Sequence, residues 1–333
     1  MEKMRKQQGG FTLLELLIVV SILVMVGGTL LQTFGNNEEN AAQGTATNSI
    51  ARLNAATALY GALNSEAPLP NGLESLACAP SADAADLSGV TVNNAPSANG
   101  TVAATSTEAY KLGGESNLVA GGGLGLKVAA KFDLAQVNVS ALSDSGVTNI
   151  RYAETDACDG ATDTDPVDMA ATAGYAATIS GTLGDVNIPN HIFEEPRAGS
   201  NRNRGRGFAA TVTDGSTMPL MVWKRGDGGY NNVKVGGQAT DVLVGLGIGD
   251  ASTMVGVEEI NGIVPTLQKA PYYGQIARDK YSHYIALVKV GTDADGDLSS
   301  GFSASSKAVI VSIVDARGDF YAEELAEYTD QKT

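Results

Sequence analysis

The fold of this chain is decided by residues 11–34, which read FTLLELLIVVSILVMVGGTLLQTF. Glu15 is the only charged residue in this apolar stretch. Because an α-helix rises 1.5 Å per residue, the stretch would form a helix of roughly 36 Å, longer than the ~30 Å hydrocarbon layer of a bilayer. The sequence therefore predicts a helix that crosses a membrane with some tilt.

The residues on either side of the apolar stretch predict its orientation. Lys3, Arg5 and Lys6 precede it, acidic residues occupy 38–39, and no Lys or Arg occurs again until Arg52. Since positively charged flanks stay in the cytoplasm, we expect the N-terminus inside and the bulk of the chain outside. The stretch exceeds the 7 to 15 or so apolar residues of a cleaved secretory signal. A plain signal anchor is the simplest alternative.

Glu15 is costly in a plain anchor, because a carboxylate at the bilayer centre costs about 2.5 to 3.5 kcal/mol. The run GFTLLELLIVV at residues 10–20 resembles the type IV prepilin signature, shared by type IV pilins and by the pseudopilins of type II secretion. The resemblance implies that a prepilin peptidase cuts after Gly10 and methylates Phe11. The apolar stretch would then stay in the mature protein, as a membrane anchor and later as the core of a filament.

Phe11 and Glu15 are the residues that the resemblance assigns to assembly. Cleavage would create a cationic amine on Phe11, one helical turn before the Glu15 carboxylate. In the family pattern this carboxylate pairs with the N-terminus of a neighbouring subunit. Since one unpaired buried charge costs about 3 to 5 kcal/mol, the pair would fix the axial register of the filament. The alternative is that Glu15 merely reaches the cytoplasmic interface.

Gly27 and Gly28 lie inside the apolar stretch. Each mid-helix glycine costs roughly 1 kcal/mol relative to alanine, so the pair predicts a place where the helix bends or locally unwinds. Pilins commonly have a proline in this part of the span, and this chain has none. Close packing of helices through small residues is the alternative interpretation.

Residues 36–65 have the pattern of an amphipathic helix that ends before Pro68 and Pro70. Apolar side chains recur at three- and four-residue steps, at Ile50, Leu53, Ala56, Tyr60 and Leu63. We therefore expect one helix over 11–65, with its second half packed on a globular head. Residues 1–10 would be the cleaved leader peptide.

Residues 66–333 are rich in Gly, Ala, Ser, Thr and Asp, which predicts an extracellular β-rich head of one or two subdomains. The expected fold class is α+β, a long protruding helix packed on a large, mainly antiparallel head. Strands are expected at 89–92, 127–132, 147–152, 209–212, 220–224, 241–246, 284–290 and 308–314. Short helices are expected at 134–143 and 320–328, and a loop over 79–106.

The composition and motifs argue against nucleic-acid binding and against catalysis. A net charge of -15 disfavours contact with phosphate backbones. The two histidines, His191 and His283, are isolated, and no hydrolase, metalloprotease or nucleotide-binding motif occurs. The glycine-rich run at 245–250 has Asp where a dinucleotide fingerprint needs its last glycine, so we interpret it as a β-turn. We expect a protein that is not an enzyme.

Cys78 and Cys158 are the only cysteines, and the expected location is oxidising. A disulfide between them would close a long loop and stabilise the head by about 4 to 5 kcal/mol in the chain-entropy model. Two unpaired thiols are the alternative. The pair lies in the first half of the chain, whereas pilins often place a disulfide near the C-terminus.

Asp293, Asp295 and Asp297 alternate in a glycine-containing turn whose carboxylates would suit Ca²⁺, a cation that takes six to eight oxygen ligands. The spacing differs from an EF-hand. A resemblance to the major pseudopilins, which carry a C-terminal calcium loop, favours this site. The alternative is a solvated acidic turn between the strands at 284–290 and 308–314. No other cofactor is expected.

These observations predict a structural subunit of a type IV pilus-like extracellular filament. The partners implied by the resemblance are copies of the same chain, the prepilin peptidase and the pilus assembly machinery. The precursor would lie in the bacterial inner membrane, and the mature subunit in a filament on the cell surface. The alternatives are a pseudopilin of a type II secretion system and a membrane-tethered adhesion or binding protein that does not polymerise.

Overall fold

The computed structural model describes most of the head and the second half of the N-terminal helix. The described residues are 17, 20, 41–80, 87–96, 108–111, 131–154, 193–195, 207–255, 281–294, 298 and 301–330. Leu17 and Val20 are helical, with exposed side chains. The other residues of the predicted anchor at 11–34 lie outside this set. Within the set, no helix has both the length and the apolarity needed to span a bilayer.

The described elements include four α-helices and ten strands. The helices are α1 (41–63), α2 (Ser140–Ser143), α3 (Tyr230–Lys234) and α4 (Tyr321–Asp330). The strands are β1 (Leu73–Ala79), β2 (Thr91–Pro96), β3 (Glu108–Lys111), β4 (Phe132–Asn138), β5 (Asn149–Glu154), β6 (Gly207–Thr211), β7 (Thr217–Trp223), β8 (Asp241–Gly247), β9 (Ile285–Thr292) and β10 (Ser303–Val314).

In the described part of the chain, all ten strands belong to one branched sheet, and one path through it runs β10-β9-β8-β1-β3-β2. Most neighbours are antiparallel, and the pairs β1–β5 and β2–β3 are parallel. The strand β8 is buried at every position and pairs with β9, β7 and β1. Its apolar run DVLVGLG suits a central strand covered on both faces. The head is therefore a mixed α+β structure built on an antiparallel-rich sheet.

The helix α1 lies against this sheet along one face. Ile50, Leu53, Ala56 and Tyr60 are buried as the periodicity predicted, whereas Leu63 is exposed. The Tyr60 hydroxyl lies 3.2 Å from Thr253 Oγ1, in the turn after β8.

The other end of α1 meets α4. A Cβ placed on Gly44 would lie 3.1 Å from the ring of Tyr328, so the absence of a side chain permits the close approach. At 1.5 Å per residue, the contacts at Gly44 and Tyr60 are about 24 Å apart along α1. The head therefore holds this helix over most of its described length.

Several predicted elements are present with shifted ends, and others are wrong. The predicted strands at 147–152, 209–212, 220–224, 241–246, 284–290 and 308–314 overlap β5, β6, β7, β8, β9 and β10. The predicted hairpin of the last two is confirmed by their antiparallel register. The C-terminal helix predicted at 320–328 is α4. The prediction had no counterpart for β1 or for β3.

The expected helix at 134–143 is wrong over its first half. Residues 134–138 belong to β4, and only 140–143 are helical. The sequence of β4 pairs with β7 over its whole length, from Phe132 opposite Trp223 to Asn138 opposite Thr217. Sheet pairing thus overrides the local helix preference. The loop expected at 79–106 is likewise wrong at Thr91–Pro96, which is β2 and includes part of the strand predicted at 89–92.

Candidate functional site

The residues predicted to be processed and to drive assembly lie outside the described set. These are Gly10, Phe11, Glu15, Gly27 and Gly28. The same holds for His191. The structure therefore tests the predicted site residues only within the head.

Cys78 lies in β1, is fully buried and is disulfide-bonded. Cys158 is the only other cysteine of the chain, and it lies outside the described residues. Since Cys78 is bonded and the chain has two cysteines, the structure supports the predicted pairing of Cys78 with Cys158. The disulfide of Cys78 is thus anchored in β1, a strand inside the sheet.

Of the predicted calcium turn, Asp293 is described, whereas Asp295 and Asp297 lie outside the described residues. Asp293 is buried, and its Oδ2 accepts a hydrogen bond of 2.9 Å from the backbone N–H of Leu298. Arg225 donates to the carbonyl oxygens of Asp293 and Ala294, at 2.6 and 3.3 Å. The Asp293 carboxylate therefore closes the turn between β9 and β10, and its role as a metal ligand stays a prediction.

A buried polar cluster at the centre of the head was not predicted. We call Glu74, Tyr281 and His283 the Glu74 cluster. The Tyr281 hydroxyl donates to Glu74 Oε2, and His283 Nδ1 lies 3.1 and 3.0 Å from the two carboxylate oxygens. All three side chains are at most 2% exposed. Burial raises the pKa of Tyr281 well above its usual value, and the Glu74 carboxylate adds to the shift by charge and by hydrogen bonding.

Two glycines make room for the Glu74 carboxylate. A Cβ at Gly247 would overlap the Tyr281 hydroxyl, and a Cβ at Gly249 would overlap Glu74 Oε1. A Cβ at Gly245, two residues earlier, would overlap the ring of Phe132. The alternating glycines face one side of the strand, since side chains two residues apart share a face. The interpretation of residues 245–250 as a β-turn is therefore wrong at 245–247, which end β8 and leave space for larger side chains, whereas the chain does turn at Asp250.

The Glu74 cluster joins β1 to the start of β9 rather than opening to a substrate. Its carboxylate receives two donors, and the ring of Tyr281 packs edge-on against those of Phe193 and His283, at 6.1 and 5.2 Å. Charge-assisted hydrogen bonds to a buried carboxylate stabilise the packing of the segments that they join. The sequence signal for the cluster is weak, since Glu74 lies more than 200 residues before Tyr281 and His283.

A second acidic group lies where β10 meets α4. We call Asp315, Asp319 and Glu324 the acidic junction; all three are buried, and one oxygen from each lies within 4.8 Å of the others. Asp315 Oδ1 accepts hydrogen bonds of 2.8 to 2.9 Å from three backbone N–H groups, those of residues 317–319. The sequence carries no local signal for this junction, because its three acids meet only where the chain turns between β10 and α4.

Two cations and the neighbouring carboxylates set the electrostatics of Asp319 and Asp315 in the acidic junction. Asp319 pairs with Arg317 at 3.0 Å and with Lys131 at 3.5 Å. Burial is the main cause that raises the pKa of Asp315 to about 6, and the charge of Asp319 adds to it, whereas the three backbone N–H groups oppose the shift. Within the described residues, the acidic junction is the only group of three side chains that offers ligand atoms to a metal ion.

A family model described as the prokaryotic N-terminal methylation motif matches residues 5–31. The chain carries a type IV prepilin-type signature. The prepilin-type signature contains Gly10, Phe11, Glu15, Gly27 and Gly28, and it leaves the head outside the match. It supports a type IV pilin-like or pseudopilin-like precursor. No curated protein matches the chain, and no solved structure matches it.

Proposed function

We propose that this protein is a non-enzymatic structural subunit of a type IV pilus-like extracellular filament. The observation that carries the proposal is the prepilin-type signature at residues 5–31, which lies just before a helix whose inner face is buried on a β-rich head. A prepilin peptidase would remove residues 1–10 and methylate Phe11. The apolar residues 11–34 would then hold the precursor in the inner membrane and later pack in the filament core.

The outer face of α1 supports this arrangement. Most of its exposed side chains are small, and they are Ala41, Thr45, Asn48, Ala51, Ala55, Ala58 and Ala62. Arg52 is the only charged residue in 41–63. Small, uncharged side chains let two helices approach closely, which is what a bundle of subunit helices in a filament requires. The opposite face of α1 is buried against the head of the same subunit.

Glu15 would make the assembly selective for processed subunits. Its carboxylate needs a cationic partner in an apolar bundle, and the amine of Phe11 exists only after cleavage. An uncleaved subunit would bring the leader to the same position and leave Glu15 unpaired. The filament would therefore exclude precursors.

The first test is the mass of the N-terminal peptide of the purified protein. The proposal predicts a chain that begins at N-methylated Phe11 when the prepilin peptidase is present, and at Met1 when it is absent. Replacing Gly10 by Val should block cleavage, whereas the matched change Gly9→Val should leave it intact. A chain that keeps Met1 in the presence of the peptidase would remove the proposal.

The second test is electron microscopy of sheared surface material. Long fibres that contain this chain would support a pilus, and Glu15→Ala should abolish them while cleavage continues. Processed protein that forms only short filaments linked to secretion would indicate a pseudopilin. Processed protein that stays monomeric in the membrane, with Glu15→Ala silent, would indicate a tethered binding protein.

A further inference from the structure

The helix α4 presents an apolar stripe to solvent, which we call the α4 face. Its residues recur at one- and four-residue steps on one side of the helix, and they are Tyr321, Ala322, Leu325, Ala326 and Thr329. Tyr321 and Leu325 are its large side chains, with exposures of 42% and 38%. The Thr329 hydroxyl lies 3.0 and 2.9 Å from the carbonyl oxygens of Leu325 and Ala326, so it is bonded within the helix. The α4 face therefore carries no charged side chain.

The glutamates of α4 lie on the other sides of the helix. Glu323 binds Lys234 of α3, and Glu324 is buried. Glu327 lies 3.9 Å from Arg317. A surface helix of a globular protein usually has the reverse arrangement, with apolar residues inside and charged residues outside. An apolar stripe that is exposed beside ion-paired acids indicates a surface that binds a partner.

The α4 face adjoins the outer face of α1. The ring of Tyr328, in the last turn of α4, covers Gly44 of α1. Gly44 precedes the exposed residues Asn48, Ala51 and Ala55 by four, seven and eleven residues, so all four lie on one stripe of α1. The end of α4 thus borders the surface that we assign to packing between subunits. A second subunit that lies along α1 would reach α4 as well.

Charge favours a second copy of this chain as the occupant of the α4 face. The chain has a net charge of -15, so two copies repel each other over most of their surfaces. The sequence of α4 contains acidic residues and no basic one, whereas Arg52 is exposed and is the only charged residue of α1 over 41–63. The outer face of α1 is therefore a surface of this chain that complements α4 in charge.

We propose that the α4 face binds the outer face of α1 in a neighbouring subunit. Tyr321 and Leu325 would pack over the alanines of that face, with its Arg52 beside the glutamates of α4. Because the two surfaces differ, the contact is heterologous and repeats from copy to copy, as a helical filament requires. The inference rests on the proposed filament, and it adds the surface of the head through which neighbouring subunits meet.

The test uses the full chain, expressed with the prepilin peptidase and the assembly machinery. Leu325→Cys is combined in turn with Ala51→Cys, Ala55→Cys and Ala58→Cys, and intact cells are treated with a short thiol-reactive crosslinker. At least one pair should give a ladder of dimers, trimers and longer multimers in denaturing gels, since each subunit contributes both surfaces. The single variants should give no ladder. Asp214→Cys in place of Leu325→Cys should give none either, because Asp214 is exposed in the turn between β6 and β7.

The yield of sheared fibres gives a second readout. Leu325→Lys should lower the yield at least about tenfold, because an ammonium group would enter an apolar contact. N-terminal processing and the unfolding temperature should not change, since the residue is exposed. Val309→Lys is the matched control, because it places the same charge at an exposed apolar position of β10 and should keep the yield. Arg52→Glu should lower the yield as well, since it would bring like charges together.

Two outcomes would overturn the proposal. A normal fibre yield in Leu325→Lys or Arg52→Glu would place the α4 face outside the contact between subunits. Fibres that form while none of the cysteine pairs gives a ladder would mean that α4 meets another surface. By contrast, unaltered protein that is processed and forms no fibres would contradict the proposed filament itself, and this inference with it.

Discussion

The head contains two clusters of buried carboxylates, and they differ in how the protein replaces the water that each carboxylate loses. In the Glu74 cluster one carboxylate has two donors, from Tyr281 and His283, inside a glycine cradle. In the acidic junction Asp319 pairs with Arg317 and Lys131, and burial beside Asp319 raises the pKa of Asp315. A buried charge stabilises a fold only when its partners replace the water it has lost. In the first cluster the donors of Tyr281 and His283 meet this condition, whereas in the second burial and the charge of Asp319 favour the protonated form of Asp315.

The largest expected effect tests the glycine cradle. Gly249→Ala should destabilise the head by more than about 3 kcal/mol, because the new methyl group would occupy the position of the Glu74 carboxylate and force it from its donors. Gly89→Ala is the control, since its methyl group would meet no atom within 4 Å, and it should change stability by less than about 0.5 kcal/mol. Urea unfolding of both variants measures the difference. Equal stability of the two would show that Glu74 can relocate freely.

The pH dependence of stability tests the acidic junction. Because the folded protein holds a proton on Asp315 up to about pH 6 and the unfolded chain releases it earlier, stability in EDTA should fall as pH rises from about 4 to 6. The loss in the free energy of unfolding should approach about 3 kcal/mol. We assign it to Asp315, which lies near the ionisable groups of Asp319, Glu324 and Tyr284. Unfolding in EDTA at several pH values measures it.

Asp315→Asn is the control for that pH series. Its amide oxygen can still accept from the backbone N–H groups of residues 317–319, so the turn should be kept while the titrating charge is removed. The slope between pH 4 and 6 should shrink, and the variant should be more stable than the unaltered protein at pH 7.5 in EDTA. An unchanged slope would assign the titration to another group.

Glu74→Gln should give the opposite sign to Asp315→Asn. The variant keeps the shape of Glu74 and loses the charge that two donors stabilise, so the head should lose about 2 kcal/mol at pH 7.5. Denaturant titration of both variants under the same conditions makes the comparison direct. Stabilisation by Glu74→Gln would show that the two clusters are electrostatically alike.

The smallest expected effect concerns an ion pair outside both clusters. Lys234 binds Glu323 on the surface, and its ammonium lies 5.4 Å from the centre of the Phe320 ring. Hydrogen bonding to Glu323 raises the pKa of Lys234. Because water screens the pair, Lys234→Gln should cost no more than about 1 kcal/mol, and less at high salt. If Lys234→Gln lost as much stability as Glu74→Gln, surface and buried charges would contribute equally to the stability of this head.

The sequence predicted the elements whose information is local. The apolar runs of β8, β9 and β10 and the periodicity at Ile50, Leu53 and Ala56 were sufficient to predict strands and a helical face. The strand β1 was missed because its sequence LESLACA carries Glu74 and Ser75, which are uncommon at buried positions. The partners that make Glu74 acceptable come more than 200 residues later. Local patterns contain no information about such a contact.

The glycines at the end of β8 also show that a local sequence pattern does not report long-range contacts. Alternating glycines usually indicate a turn, yet Gly245, Gly247 and Gly249 leave space for Phe132, Tyr281 and Glu74. Only the sheet register brings those side chains to that face. The acidic junction was missed for a similar reason, since Asp315 and Glu324 are nine residues apart and meet only because the chain turns between strand and helix.

The contact between Gly44 and Tyr328 has a consequence for biogenesis. Gly44 and Tyr328 are 284 residues apart (328 − 44), so α1 can complete this contact only after the intervening head has been synthesised. A peptide tag placed just after α4 would therefore perturb the opposite end of the sequence, and its position should be chosen with that contact in view.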